Sequence, residues 1–67
     1  MKYKLKPGDL VWVWKDDPAE ELAIITDIND IGDVWVFIVR DYDGQYDNLT
    51  GKLMMRWWKN ITLVQST

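Results

Sequence analysis

The 67-residue chain contains no cysteine and no histidine, and its single serine is Ser66. Without cysteine the chain forms no disulfide and has no thiolate. Without histidine it has neither imidazole ligands nor the side chain that most often acts as a general base at neutral pH. A serine nucleophile needs such a base beside it. We therefore predict a protein that is not an enzyme and that uses no cofactor, no metal and no small-molecule substrate.

Long apolar runs are also missing. No run reaches the roughly 20 residues that a membrane-spanning helix requires, and the opening segment "MKYKLKPGD" has no apolar core of a secretion signal. We expect a soluble intracellular protein of the cytoplasm, without membrane contact. A chain this short fits one domain, 1–67, and buries only about 60% of the surface that its unfolded form exposes. Some large apolar side chains must therefore stay in contact with solvent.

Charge is distributed unevenly along the chain. All eleven acidic residues lie between positions 9 and 47, where two cations, Lys15 and Arg40, oppose them. The other six cations lie towards the two ends, at Lys2, Lys4, Lys6, Lys52, Arg56 and Lys59. Two interpretations remain open: a bipolar surface with one basic edge, or solvated charge that keeps the protein soluble.

Short apolar runs rich in Val, Ile and Trp recur along the chain, each closed by Asp, Asn, Gly or Pro. This pattern is typical of an all-β protein, and no segment has the three- and four-residue apolar spacing of a helix. The predicted strands are 9–14, 21–28, 34–41, 52–57 and 62–65. The gap before the last strand is short and fits a single 3₁₀ turn. The sequence thus predicts an all-β fold, a small five-stranded barrel.

Two segments carry a resemblance to a known group of folds. "KPGDLVWVW" resembles the opening strand of SH3-like barrels of the Tudor, PWWP and KOW kind, and "WWKNITLV" is similar to their 3₁₀ turn and last strand. The chain also resembles the short stand-alone SH3-like proteins encoded by bacteriophages, which would place it in the cytoplasm of the host. The Pro-Trp-Trp-Pro signature is missing, since "DDPAEELA" follows the first strand. The resemblance therefore implies the SH3-like fold more than recognition of methylated lysine.

The first three predicted strands are apolar on both sides. Neighbouring side chains of a strand point to opposite faces, so one set can fill the barrel while the other needs a separate explanation. The inward set is Val11, Val13, Ala23, Ile25, Val34, Val36 and Ile38. The outward set is Leu10, Trp12, Trp14, Leu22, Ile24, Trp35, Phe37 and Val39.

Three explanations account for the outward set. Tyr3 and Leu5 could fold over part of it. The sheet could also curl so strongly that its long strands contribute side chains to both the interior and the rim of the barrel. Alternatively, the outward face is a protein interface, because Trp and Phe are common anchors of such interfaces. We favour the interface, in a homo-oligomer or with another protein, and predict that its contact residues are Trp12, Trp14, Ile24, Trp35 and Phe37.

The adjacent tryptophans Trp57 and Trp58 suggest an alternative, a KOW-like nucleic-acid-binding barrel. An exposed indole flanked by cations could stack on bases, whereas the acidic middle of the chain would repel phosphates. The residues of this alternative are Lys2, Lys4, Lys6, Arg56, Trp58 and Lys59. The competing interpretation is that the pair has only a structural role: one indole packs at the end of the barrel while the other stays partly exposed.

A Tudor-like aromatic cage for a methylated cation is a further alternative. Aromatic faces attract cations, and a nearby carboxylate adds to that attraction. The residues of this alternative are Trp14, Trp35, Tyr42, Tyr46 and Asp43, with Asp41 as a substitute for Asp43. They follow or precede predicted loops, which could gather them at one end of a barrel.

Overall fold

The computed structural model describes residues 5–41 and 49–67, and within these ranges the protein is an antiparallel sheet of five strands in the order β4-β3-β2-β1-β5. The elements are β1 (Leu10–Val13), β2 (Glu21–Ile28), β3 (Asp33–Asp41), β4 (Leu53–Trp57), a 3₁₀ turn (Trp58–Asn60) and β5 (Ile61–Gln65). The all-β prediction is confirmed, as are the five strands and the 3₁₀ turn before the last one. β1 pairs with both β2 and β5, so the last strand returns to the first.

β1 is shorter than predicted by one residue at each end, Leu10–Val13 rather than 9–14. The strand ends at Val13 because Trp14 has a φ of 53° and Asp16 a φ of 67°, which are left-handed conformations that turn the chain. The N–H of Trp14 donates a hydrogen bond to the carbonyl oxygen of Asn60, the last residue of the 3₁₀ turn. The other strand boundaries lie within one residue of the predicted positions, and β2 has the predicted bounds.

Register shifts interrupt the pairing of β2 with β3 at two points, between Leu22 and Ala23 and between Ile25 and Asp27. A third shift lies between Leu10 and Val11, where β1 pairs with β5. Such bulges increase the local twist and bend the sheet. They let a sheet of five short strands curve around one small core.

The core lies on the concave side of this sheet, and the inward set predicted from the sequence is confirmed. Each of its members is at most 1% exposed: Val11, Val13, Ala23, Ile25, Val34, Val36 and Ile38. Leu5 joins them at 7% exposure. The hypothesis that Leu5 covers the outward face is therefore wrong, because its side chain is taken up by the core; Tyr3 lies outside the described residues.

A buried carboxylate at Asp9 ties the start of the described chain to its end. Asp9 accepts hydrogen bonds from the N–H of Lys6, the N–H of Thr67 and the hydroxyl of Thr67, at 3.0, 3.0 and 3.1 Å. The N–H of Thr67 contributes most to lowering the pKa of Asp9, the N–H of Lys6 adds to it, and burial opposes the shift. The charged form of Asp9 is thus the one that the fold favours.

Candidate protein-binding face

The outward side chains of β2, β3 and β4 form a continuous apolar surface, called here the outer apolar face. Strand pairing aligns them in rows: Ile24, Phe37 and Leu53 lie opposite one another, and Trp35 lies opposite Met55. Their exposed fractions run from 37% for Ile24 and Trp35 to 56% for Leu53. The outer apolar face comprises Ile24, Trp35, Phe37, Val39, Leu53, Met55 and Trp57.

This face exists because β3 carries apolar residues on both of its sides. Val34, Val36 and Ile38 are fully buried against the core. The intervening Trp35 and Phe37 must then point to the opposite side, where nothing in the described chain covers them, and 37% and 44% of their surfaces remain exposed. The core and the outer apolar face are thus two sides of the same strand.

Strand β4 contributes Leu53, Met55 and Trp57, which are not among the residues predicted to form an interface. The strand alternates, since positions 53, 55 and 57 are exposed while Met54 and Arg56 are partly buried. Two adjacent methionines obscure this alternation in the sequence, because positions 54 and 55 look alike. The alternation of side chains between the two faces of a strand, which repeats every two residues, could nevertheless have identified these residues.

Three of the five predicted interface residues, Ile24, Trp35 and Phe37, lie on the outer apolar face. A shallow groove beside them is lined by Thr26, Asp27, Trp35 and Leu53. The hydroxyl of Thr26 donates to the carbonyl oxygen of Trp35 at 3.2 Å, which joins β2 to β3 at this point. The groove supplies polar groups within an otherwise apolar surface.

Trp12, a fourth predicted interface residue, is only partly exposed. Its partner in β2 is Leu22, and Leu22 in turn lies opposite Arg40 of β3. The guanidinium of Arg40 lies over the indole of Trp12, 5.6 Å from the ring centroid, within the range of a cation–π contact. Trp12 therefore borders the outer apolar face and is partly covered by a cation.

Trp14, the fifth predicted interface residue, departs from its expected outward position. Its left-handed backbone carries the indole to the end of the sheet, where the ring covers the guanidinium of Arg56 at 4.8 Å from the ring centroid. Nε and Nη2 of Arg56 donate to the two carboxylate oxygens of Glu21 at 2.9 and 2.8 Å. The side chains of Arg56 and Glu21 are 11% and 2% exposed. Trp14 thus closes over a buried ion pair.

The two adjacent indoles occupy different environments. Trp57, at the end of β4, is 44% exposed, while Trp58 opens the 3₁₀ turn and packs against the core. Their ring centroids are 6.2 Å apart and their planes are inclined by 56°. The exposed indole is therefore Trp57, whereas the nucleic-acid alternative had relied on Trp58.

The cations of the nucleic-acid alternative do not share one free surface in the described chain. Arg56 is bound to Glu21, and Lys6 forms an ion pair with Asp9 at 3.4 Å and a hydrogen bond with Ser66. Lys59 lies over the indole of Trp58, 5.7 Å from its centroid. Lys2 and Lys4 lie outside the described residues.

The described members of the aromatic-cage alternative are also separated. Trp14 covers Arg56, which points towards Glu21 and the inner side, whereas Trp35 lies beside Met55 on the outer side. The indole of Trp14 thus lies at the end of the sheet, away from that of Trp35, and already has a cation against it. Tyr42, Asp43 and Tyr46 lie outside the described residues; Asp41 accepts a hydrogen bond from the N–H of Leu49.

Comparison with known proteins adds no family assignment. The chain matches no protein-family model, and the searches of curated proteins and of solved structures found no match. Within 5–41 and 49–67, no three His, Cys, Asp or Glu side chains form a group that could hold a metal ion. No helix in the same ranges is long and apolar enough to cross a membrane. The function of this chain is therefore inferred from its own geometry.

Proposed function

We propose that this protein is a non-enzymatic binding module of SH3-like architecture that acts through protein–protein contacts and associates with itself through the outer apolar face. The strand order β4-β3-β2-β1-β5 and the 3₁₀ turn before β5 support the SH3-like architecture. The outer apolar face supports the contact role.

The observation that carries this proposal is the extent of that face. Seven large apolar side chains on three neighbouring strands are between 37% and 56% exposed. Soluble monomers seldom expose a contiguous apolar patch of this kind, and such patches mark interaction sites. Trp, Phe and Met are also enriched in the buried centres of protein interfaces. Covering this face with another protein surface removes the unfavourable contact with water.

The chemistry of the buried charges supports a role in binding rather than catalysis. The buried carboxylates in the described ranges are those of Asp9 and Glu21. Asp9 accepts hydrogen bonds from Lys6 and Thr67, and both carboxylate oxygens of Glu21 accept hydrogen bonds from Arg56. Both carboxylates are therefore engaged in holding strands and chain ends together.

Self-association is tested by sedimentation velocity and light scattering of the full chain across the micromolar range. We expect the weight-average mass to rise with concentration towards that of a dimer or a higher oligomer. Phe37→Asp places a charge in the middle row of the outer apolar face, where burial of an unpaired charge is costly, so this variant should stay monomeric at concentrations at which the wild type associates.

Ile31→Asp is the matched control. Ile31 is 70% exposed but lies in the turn between β2 and β3, outside the outer apolar face. The same chemical change at this position should leave self-association as in the wild type. A wild-type chain that remains a strict monomer throughout, or equal losses in both variants, would refute self-association through this face.

A further inference from the structure

Two opposite charges lie at opposite ends of the outer apolar face. Asp27 of β2 lies opposite Trp35, and Arg40 of β3 lies opposite Leu22; both charged residues are exposed. Five positions of β2 separate Leu22 from Asp27, which corresponds to about 16 Å along the strand. The two charges of one subunit are therefore too far apart to pair with each other.

The bulges of the β2–β3 pair place both charges on this face. Simple alternation would direct Asp27 to the side of the buried Ile25, and Arg40 to the side of the buried Ile38. The register shift between Ile25 and Asp27 and the shift between Leu22 and Ala23 reverse this, so that each charge is aligned with an outward partner. The position of Arg40 over the outward indole of Trp12 agrees with this orientation.

Among the residues that the structure describes, neither charge has a partner for an ion pair. The salt bridges within residues 5–41 and 49–67 are Lys6–Asp9 and Glu21–Arg56. Asp27 accepts a hydrogen bond from the N–H of the adjacent Ile28 through one carboxylate oxygen, and Arg40 contacts the ring of Trp12. Both side chains can thus form an ion pair with a group outside the subunit.

We propose that the partner of the outer apolar face is a second copy of this chain, packed face to face with its strands antiparallel, so that Asp27 of each subunit pairs with Arg40 of the partner subunit. This inference rests on the proposed function. A two-fold axis across the strands near the row of Ile24 and Phe37, which is midway between the charges, produces both ion pairs at once. An axis parallel to the strands would instead bring like charges together.

The experiment is a charge exchange in the full chain, with the dissociation constant of the dimer measured by sedimentation equilibrium. Asp27→Arg or Arg40→Asp alone places like charges against each other at both ends of the interface. Each single variant should raise the dissociation constant about tenfold or more. The double variant Asp27→Arg/Arg40→Asp has the net charge of the wild type and reverses both pairs, so it should restore the wild-type constant.

Mixing the two single variants provides a second measurement. In a mixed pair, opposite charges meet at both ends, so the mixture should form dimers more tightly than either variant alone, and more tightly at low than at high salt. Lys15→Asp is the control, because it makes the same change in charge as Arg40→Asp in the loop after β1, away from the face. It should leave the dissociation constant unchanged.

The outcomes separate this inference from the proposed function. If the wild type does not self-associate, both the antiparallel dimer and the self-association in the proposed function are refuted. If the wild type associates through the outer apolar face but the single variants bind as tightly as the wild type, or the double variant remains weak, the antiparallel arrangement is refuted while the proposed function stands. Recovery in the double variant also shows that the weakness of the single variants was not caused by misfolding.

Discussion

Gly32 lies beneath the paired indoles of Trp57 and Trp58, in the turn between β2 and β3. Its φ is +96°, and a Cβ on it would lie 2.8 Å from Cζ3 of Trp57 and closer still to Cδ1 of Trp58. The carbonyl oxygen of Gly32 accepts a hydrogen bond from the N–H of Trp58 at 3.0 Å, which holds the 3₁₀ turn against this spot. Both the conformation and the space therefore require glycine.

We expect Gly32→Ala to lower the free energy of unfolding by about 2–5 kcal/mol, because left-handed strain of roughly 1–2 kcal/mol adds to overpacking of about 1–3 kcal/mol. Gly51→Ala is the control: its φ is +83° but no atom lies within 4 Å of the added Cβ. It should show the strain alone, about 1–2 kcal/mol. Urea unfolding followed by tryptophan fluorescence measures both; equal losses in the two variants would argue against crowding by the indoles.

Asp9 makes the stability of the protein sensitive to acid. Its pKa in the folded state lies below the ordinary value of 3.8. The stability that its charged form provides is therefore fully present above pH 3.8 and is lost as the pH falls through the lowered folded pKa. Asp9→Asn places an amide donor against the N–H groups of Lys6 and Thr67, so the variant should be less stable than the wild type at neutral pH.

The measurement is the urea midpoint as a function of pH. The difference between wild type and Asp9→Asn should be constant near neutrality and shrink in the acid range. A difference between wild type and Asp9→Asn that does not depend on pH would show that the charge of Asp9 is not what the fold uses.

At the scale of elements, the ion pair of Glu21 and Arg56 joins β2 to β4, which are not neighbours in the sheet. Trp14 covers the pair and so joins the end of β1 to the same point. The sequence alone could not reveal this cluster, because 35 residues separate the two partners. Arg56 was instead predicted to flank an exposed indole, which alternation along β4 does not permit.

We expect Arg56→Ala to cost about 3–5 kcal/mol, because it leaves a buried carboxylate without its cation. This is comparable with the whole stability of a chain of this size, roughly 3–5 kcal/mol, so the variant should be largely unfolded at 25 °C. Replacing both partners, in Glu21→Leu/Arg56→Met, removes the buried charges together and should retain more structure. Circular dichroism and urea unfolding test the ordering; a double variant less stable than Arg56→Ala would contradict it.

Strand positions followed from the sequence where apolar and turn-forming residues mark them clearly. β2 has its predicted bounds, and the inward residues of β1, β2 and β3 are buried as predicted, since a period of two fixes which side chains share a face. The left-handed turn at Trp14 was not predictable in this way, because bulky residues rarely adopt it. Residue periodicity also gave no information on which strand lies opposite Trp35.

At the scale of the whole molecule, the same sheet that encloses the core presents a second apolar side to solvent. Two tryptophans of the outer apolar face, Trp35 and Trp57, are 37% and 44% exposed in the single subunit. If a partner covers this face, a neutral quencher such as acrylamide should reach them less easily. We therefore expect quenching of tryptophan fluorescence to decrease as the protein concentration rises.

The control is Phe37→Asp, in which the indoles are retained and association is expected to be lost. Its quenching should be independent of concentration and equal to that of the dilute wild type. Quenching that stays constant in the wild type, while its mass rises with concentration, would mean that the chains associate through another surface.

The place of β5 in the sheet has a kinetic consequence. β2, β3 and β4 follow one another along the chain and pair with their sequence neighbours, so they can form a meander through local contacts. Within the described residues, β5 instead pairs only with β1, and the partners Leu10 and Gln65 lie near the two ends of the described chain. Because closing so long a loop costs entropy before any contact is gained, docking of β5 is expected to be the last step of folding. Its release is correspondingly the first step of opening, and it leaves β1 as a bare edge.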